Sequence, residues 1–144
     1  ALLFIRRMAG MTTGRLLGDA RRAPALKDLP PEILIYEIAG PLFFGAAESA
    51  MEALRATGDG IRSVIFRMEE VPSMDVTGLV AFETLLAELS AQGKSAYLVG
   101  VRPQPLALLK KARLLGTKAV LCPTMEEAVG LAQKTVAAPP PPHG

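Results

Sequence analysis

VPSMDVTGLV, residues 71–80, decides the fold. It follows SVIFRM (63–68), a run whose apolar centre suits a strand covered on both faces by helices. A proline at 72 interrupts the run, and beyond Gly78 the residues Leu79, Phe82, Leu86 and Leu89 recur at helical spacing until Gly93. The stretch is therefore a strand-to-helix turn, and it concentrates Ser73, Asp75, Val76, Thr77 and Gly78 at one place.

Outward from the turn the same alternation continues. Upstream, ILIYEIAG (33–40) is a β-rich run, Gly40-Pro41 breaks it, and GPLFFG suggests a second extended pair at Phe43-Phe44. AAESAMEALRATG (46–58) puts Ala47, Ala50, Met51 and Leu54 on one helical face, with Glu48, Glu52 and Arg55 on another. Downstream, SAYLVGV (95–101) is a buried strand and RPQPLALLKKARLL (102–115) a helix with its prolines in the first turn and cations near its end. AVLC (119–122) is the last strand. Thr124-Met125-Glu126-Glu127 matches a capping box opening a helix striped by Met125, Ala128, Val129, Ala132 and Val136.

Strands alternating with helices predict an α/β fold: a single domain over 33–136, with a mostly parallel or mixed sheet of four to five strands and about four helices. Residues 1–32 mix Gly, Pro and charge without sustained periodicity and read as a connector. Residues 137–144, AAPPPPHG, read as a proline-rich tail favouring polyproline II.

Composition narrows the function. A net charge of +2 is too small to make nucleic acid the main partner. Arg6, Arg7, Arg15, Arg21, Arg22 and Lys27 precede the first strand of the domain, opposed there by Asp19, Asp28 and Glu32. The single cysteine, Cys122, allows no internal disulfide, and with one histidine, His143 in the tail, it cannot form a structural zinc site. No metal or cofactor is expected. Neither a Walker pattern nor GxGxxG occurs, and a hydrolase triad has no histidine within the domain. Glu69-Glu70 and Glu126-Glu127 are paired carboxylates in sequence, the kind usually solvated on a surface.

The turn itself is the natural place for a ligand or partner, because parallel sheets bind outside the carboxyl ends of their strands. Asp75 can cap the helix. Thr77 would bring its hydroxyl near uncommitted amides at the positive end of the helix, where an added phosphate would find donors. Gly78 allows close packing. On these grounds alone capping is the commoner task for such an Asp.

VPSMDVTGLVAFETLLAELSAQGKSAYLVGV (71–101) resembles the core of the STAS domain family, shared by sulfate transporters and anti-sigma factor antagonists. The family's Asp is Asp75, its two small or hydroxyl positions are Val76 and Thr77, and its glycine is Gly78. In sigma-regulating members the residue before that glycine accepts phosphate, usually as serine; here it is Thr77, and Val76 departs from a position that is often hydroxylic there. YEIAGPLFFGAAE (36–48) resembles a segment of the carboxy-terminal domains of SulP anion transporters, which free-standing sigma regulators do not usually carry.

That resemblance implies a non-enzymatic cytoplasmic domain of a bacterial SulP transporter, at the cytoplasmic face of the inner membrane, supporting assembly and regulation. The implied partners are the membrane part of the same transporter, a cytoplasmic protein, and a second copy in a homodimer of the full-length protein. ALLFIRRM, with Arg6 and Arg7, resembles the cytoplasmic end of a last membrane helix, and an ordinary N-terminal helix with solvated arginines is the other reading of those residues. Two alternatives use the turn: a phosphorylation-switched binding module acting through Thr77, and weak nucleotide binding.

Overall fold

The computed structural model describes residues 13–16, 29–56 and 60–137. Five strands, β1 (Thr13–Leu16), β2 (Ile33–Ala39), β3 (Ser63–Glu70), β4 (Ser95–Val99) and β5 (Val120–Cys122), lie side by side in chain order. The pairs from β2 to β5 are parallel, and β1 runs antiparallel along the outer edge of β2, with Arg15 opposite Glu37. Four helices complete the fold: α1 (Phe44–Ala56), α2 (Val76–Ala91), α3 (Pro103–Lys111) and α4 (Met125–Ala137).

A right-handed crossover between adjacent parallel strands always lands on the same face, so strands laid down in sequence order place α1, α2 and α3 together. The side chains agree. Leu34, Tyr36 and Ile38 of β2 and Val64, Phe66 and Met68 of β3 pack with Met51, Leu54, Phe82, Leu85, Leu86 and Leu109. The opposite face, Ile33, Ile35, Ile65, Tyr97, Val99 and Cys122, is covered by Ala128, Val129 and Ala132 of α4. Burying both faces explains why the central strands read as apolar runs rather than as alternation. Phe66 centres the larger cluster, edge-on to Tyr36 at 6.3 Å and to Phe82 at 5.4 Å between ring centroids.

Two expectations change. Phe43-Phe44 is not a strand: Leu42 makes one isolated parallel bridge to Met74, and α1 begins at Phe44, immediately beyond. The chain has only a short distance to travel between β2 and the helix, so Gly40, at φ +101°, turns it directly toward α1. The second change lies within the stretch read as connector, where Thr13–Leu16 adds an edge strand to the sheet. Its TGRL sequence has neither β-branched enrichment nor alternation, so pairing with β2 decides its conformation. Arg6, Arg7, the remainder of the connector and the proline-rich tail lie outside the described residues.

Candidate functional site at the β3–α2 turn

The turn is a clamped piece of backbone. After β3 ends at Glu70, Val71 is fully buried and the chain runs past Leu42: the Leu42 N–H donates to the Ser73 carbonyl at 2.9 Å, and the Gly40 N–H to the Glu70 carbonyl at 2.8 Å. From the other side comes Gln104, in the first turn of α3. Its side-chain amide imitates a neighbouring strand, with Oε1 accepting from the Met74 N–H at 2.8 Å and Nε2 donating to the Met74 carbonyl at 3.1 Å. Backbone groups that would otherwise be orphaned between strand and helix are thus paired on both flanks.

Asp75 then starts α2. It is extended, at φ −97° and ψ 177°, and its Oδ1 accepts from the Gly78 N–H at 2.7 Å, the N3 pattern of an N-cap. Thr77 donates its hydroxyl proton to that same oxygen at 2.8 Å. The Gly78 N–H and the Thr77 hydroxyl together hold the exposed Asp75 carboxyl below its usual pKa, because both donate to the ionised form. The hydroxyl of Thr77 therefore points at a carboxylate rather than at the uncommitted amides expected for it.

Gly78 is where α2 touches the segment before α1. A Cβ built there would run into the Leu42 carbonyl oxygen and sit 2.8 Å from its carbon. The sequence signal for close packing was real, and the surface it packs on is the GPLFF segment.

Around this point the surface is apolar. Val76 is 67% exposed, Val80 is 53% exposed one helical turn later, and Phe43, whose Cα lies beside Gly78, is 42% exposed. Of the predicted site residues, Asp75, Val76 and Thr77 are exposed, Ser73 is half-buried with its carbonyl committed to Leu42, and Gly78 is buried. Phe43 and Gln104 were missed. The signals for them were faint: an aromatic beside a bridge residue, and a glutamine held between two prolines at a helix start.

The carboxylate pairs stay structural or solvated. Glu69 is bound by Arg67 at 3.0 Å, and Arg67 also lies 3.9 Å from the buried Glu37. Glu70, Glu126 and Glu127 are exposed, and Thr124 caps α4 by accepting from the Glu127 N–H at 3.2 Å. Cys122 is buried against the α4 face, and burial pushes its thiol pKa upward, which disfavours the thiolate. The turn presents a hydrogen-bonded backbone, one hydroxyl on a carboxylate, and an apolar rim.

Comparison with known proteins agrees with this geometry. The STAS domain profile matches residues 25–128. The bicarbonate transporter BicA of Picosynechococcus is 32% identical over 82 residues, a match spanning 57% of this chain and 14% of that protein. The crystal structure of a sulfate transporter family protein from Wolinella succinogenes superposes with a TM-score of 0.68 at 27% identity, covering 81% of this chain and 97% of the other. The SulP transporter STAS domain of Vibrio cholerae gives 0.65 at 28% identity, covering 76% and 88%. No described helix is long and apolar enough to cross a membrane. The profile takes in β2 to β5 and the turn that joins Asp75 to Gly78, and the chain belongs to the STAS domain family.

Proposed function

We propose that this domain is the cytoplasmic regulatory and interaction module of a bacterial SulP-family anion transporter. It performs no catalysis, and it works as a homodimer joined to the membrane part of the same protein. The observation that carries the reading is the turn itself: an apolar rim of Phe43, Val76 and Val80 on a backbone clamped by Leu42 and Gln104. Exposed apolar side chains clustered beside one polar group mark contact surfaces rather than reaction centres. Likeness to two solved domains from transporter-family proteins, at 27% and 28% identity, supports the transporter setting. The test places Phe43→Asp and Val80→Asp together in the full-length transporter and measures anion uptake in membrane vesicles. Uptake should fall while the same pair leaves the far-UV circular dichroism of the domain unchanged; unaltered uptake at equal expression overturns the reading.

A second reading has one observation in its favour, the solvent exposure of Thr77 at the start of α2. Here a partner kinase modifies Thr77 and the new charge controls docking at the same rim. Phosphate on Thr77 in protein from the native host, detected by mass spectrometry, is its required result.

A further inference from the structure

At the opposite end of the sheet, away from the turn, the amino ends of the strands collect positive charge. Parallel strands joined by helices bring the last turn of every helix to that end, so Lys110 and Lys111 of α3 and Lys134 of α4 arrive there together, joined by Arg62 before β3 and Arg113 after α3. Among the described residues two acidic ones share that end: Glu88, near the end of α2, held at 2.9 Å by Arg55, and Glu32 before β2, whose carbonyl accepts from the Arg62 N–H at 2.8 Å; the cations outnumber them.

Within this end lies a cavity of about 240 Å³ between the start of β4 and the loop leading into β5. Lys94 and Lys118 line it from its two sides, with Ser90, Ser95 and Thr117, whose hydroxyl donates to the Arg113 carbonyl at 2.9 Å, and no carboxylate takes part in the lining. Neither lysine's ammonium group has a hydrogen-bond or ion-pair partner among the described residues, and neither residue belongs to a helix. The sheet is open here. β4 pairs with β3 from Ser95 onward, yet its pairing with β5 begins only at Tyr97 opposite Val120. The Ser95 N–H donates to the Arg62 carbonyl on the β3 side at 2.9 Å, so strand alternation turns the N–H of buried Ala96 toward the cavity.

Two ammonium groups, two hydroxyls with no partner among the described residues and a strand-edge amide, without a carboxylate in the lining, match a group that is doubly charged and rich in acceptor oxygens. The cavity is smaller than one that encloses a drug-sized molecule, which begins at about 300 Å³. The surrounding cations would raise the local concentration of any anion arriving. We propose that this cavity binds a phosphate group, held by Lys94 and Lys118 and oriented by Ser90 and Ser95. The site is separate from the β3–α2 turn and does not depend on how that turn is used.

Two sources could deliver such a group, free inorganic phosphate and a phosphomonoester lipid headgroup, and the experiment separates them. The full chain is titrated with inorganic phosphate and followed by amide NMR. In parallel it is floated with vesicles of phosphatidylcholine, with and without phosphatidic acid. Both arms are repeated with Lys94→Gln/Lys118→Gln, exposed or half-exposed positions whose loss spares the core. Saturable shifts confined to Ser95–Tyr97 and 116–120, weakened at least about tenfold in the double variant, establish a soluble phosphate site. Flotation that requires phosphatidic acid and is lost in the double variant, with free phosphate silent, establishes a headgroup site. The proposal is overturned if neither ligand binds, if the double variant binds as the parent does, or if sodium chloride at equal ionic strength reproduces the response. A thermal melt of the double variant matching the parent shows that lost binding is not lost folding.

Discussion

Thr77 and Asp75 are joined by a 2.8 Å hydrogen bond in which the threonine hydroxyl donates to the carboxylate oxygen that caps α2. The residue proposed as a phosphate acceptor is thus part of the cap. Esterifying its oxygen would remove the donated proton and bring negative charge to the carboxylate that now receives it. The favourable helix end competes with that repulsion, but Asp75 already occupies the cap. Thr77→Glu is expected to lower the melting temperature, more at low salt than at high salt, while Thr77→Ser keeps it. The circular dichroism melts of the two variants, compared at two salt concentrations, check the asymmetry.

The Asp75 carboxyl titrates below its ordinary value in the folded protein because Gly78 and Thr77 donate to its charged form. A depressed folded pKa means that the unfolded chain takes up the proton first as pH falls. The stabilisation is present above the unfolded value, near 3.8, and disappears as pH drops through the lower folded value. Asp75→Asn removes that part of the acid dependence. Denaturant melts over the acid range should show the variant's stability falling less between neutral pH and the bottom of the range than the parent's.

Gly78 meets the Leu42 carbonyl so closely that a methyl group has no room. That neighbour is backbone, fixed by the Leu42 N–H bond to Ser73, and it cannot swing away as a long side chain would. Gly78→Ala should cost about 1–3 kcal/mol, the usual range for overpacking a tight contact. Chemical denaturation measures it, and a cost within error of zero would show that α2 can shift on the GPLFF segment.

Gln104 supplies two hydrogen bonds to Met74. Gln104→Ala leaves the Met74 amide without its donor-acceptor pair, and at about 0.5–1.5 kcal/mol per bond the loss should total about 1–3 kcal/mol. The local signature is more telling: the Met74 amide should exchange with deuterium faster while amides in β4 keep their protection. Equal exchange at Met74 would assign its protection to burial rather than to the Gln104 bond.

Much of this architecture was legible because its signals are local. Leu79, Phe82, Leu86 and Leu89 announce a helix by spacing, Asp75 and Thr124 announce helix starts by their capping oxygens, and Gly93 ends α2 at φ +77°. The mainly parallel pairing followed from the alternation of strands and helices. Local reading failed at Phe43-Phe44, where aromatic residues suggested a strand but the short path from β2 to α1 left room for a single bridge at Leu42. It failed also at Thr13–Leu16, whose conformation depends on a free edge of β2 that no window of sequence contains.

The sequence by itself determined the layered α/β class, the strand-to-helix turn at Asp75, and the residue types gathered there, since periodicity and capping act between near neighbours. Only the tertiary structure decided which atoms those residues address. It turned the Thr77 hydroxyl onto Asp75, set Gly78 against the Leu42 carbonyl, brought Gln104 across 30 residues to Met74, and opened the β4 edge between Lys94 and Lys118. Those pairings join separate elements, and their partners are chosen by how helices and strands pack in space, which is information that spacing along the chain does not carry.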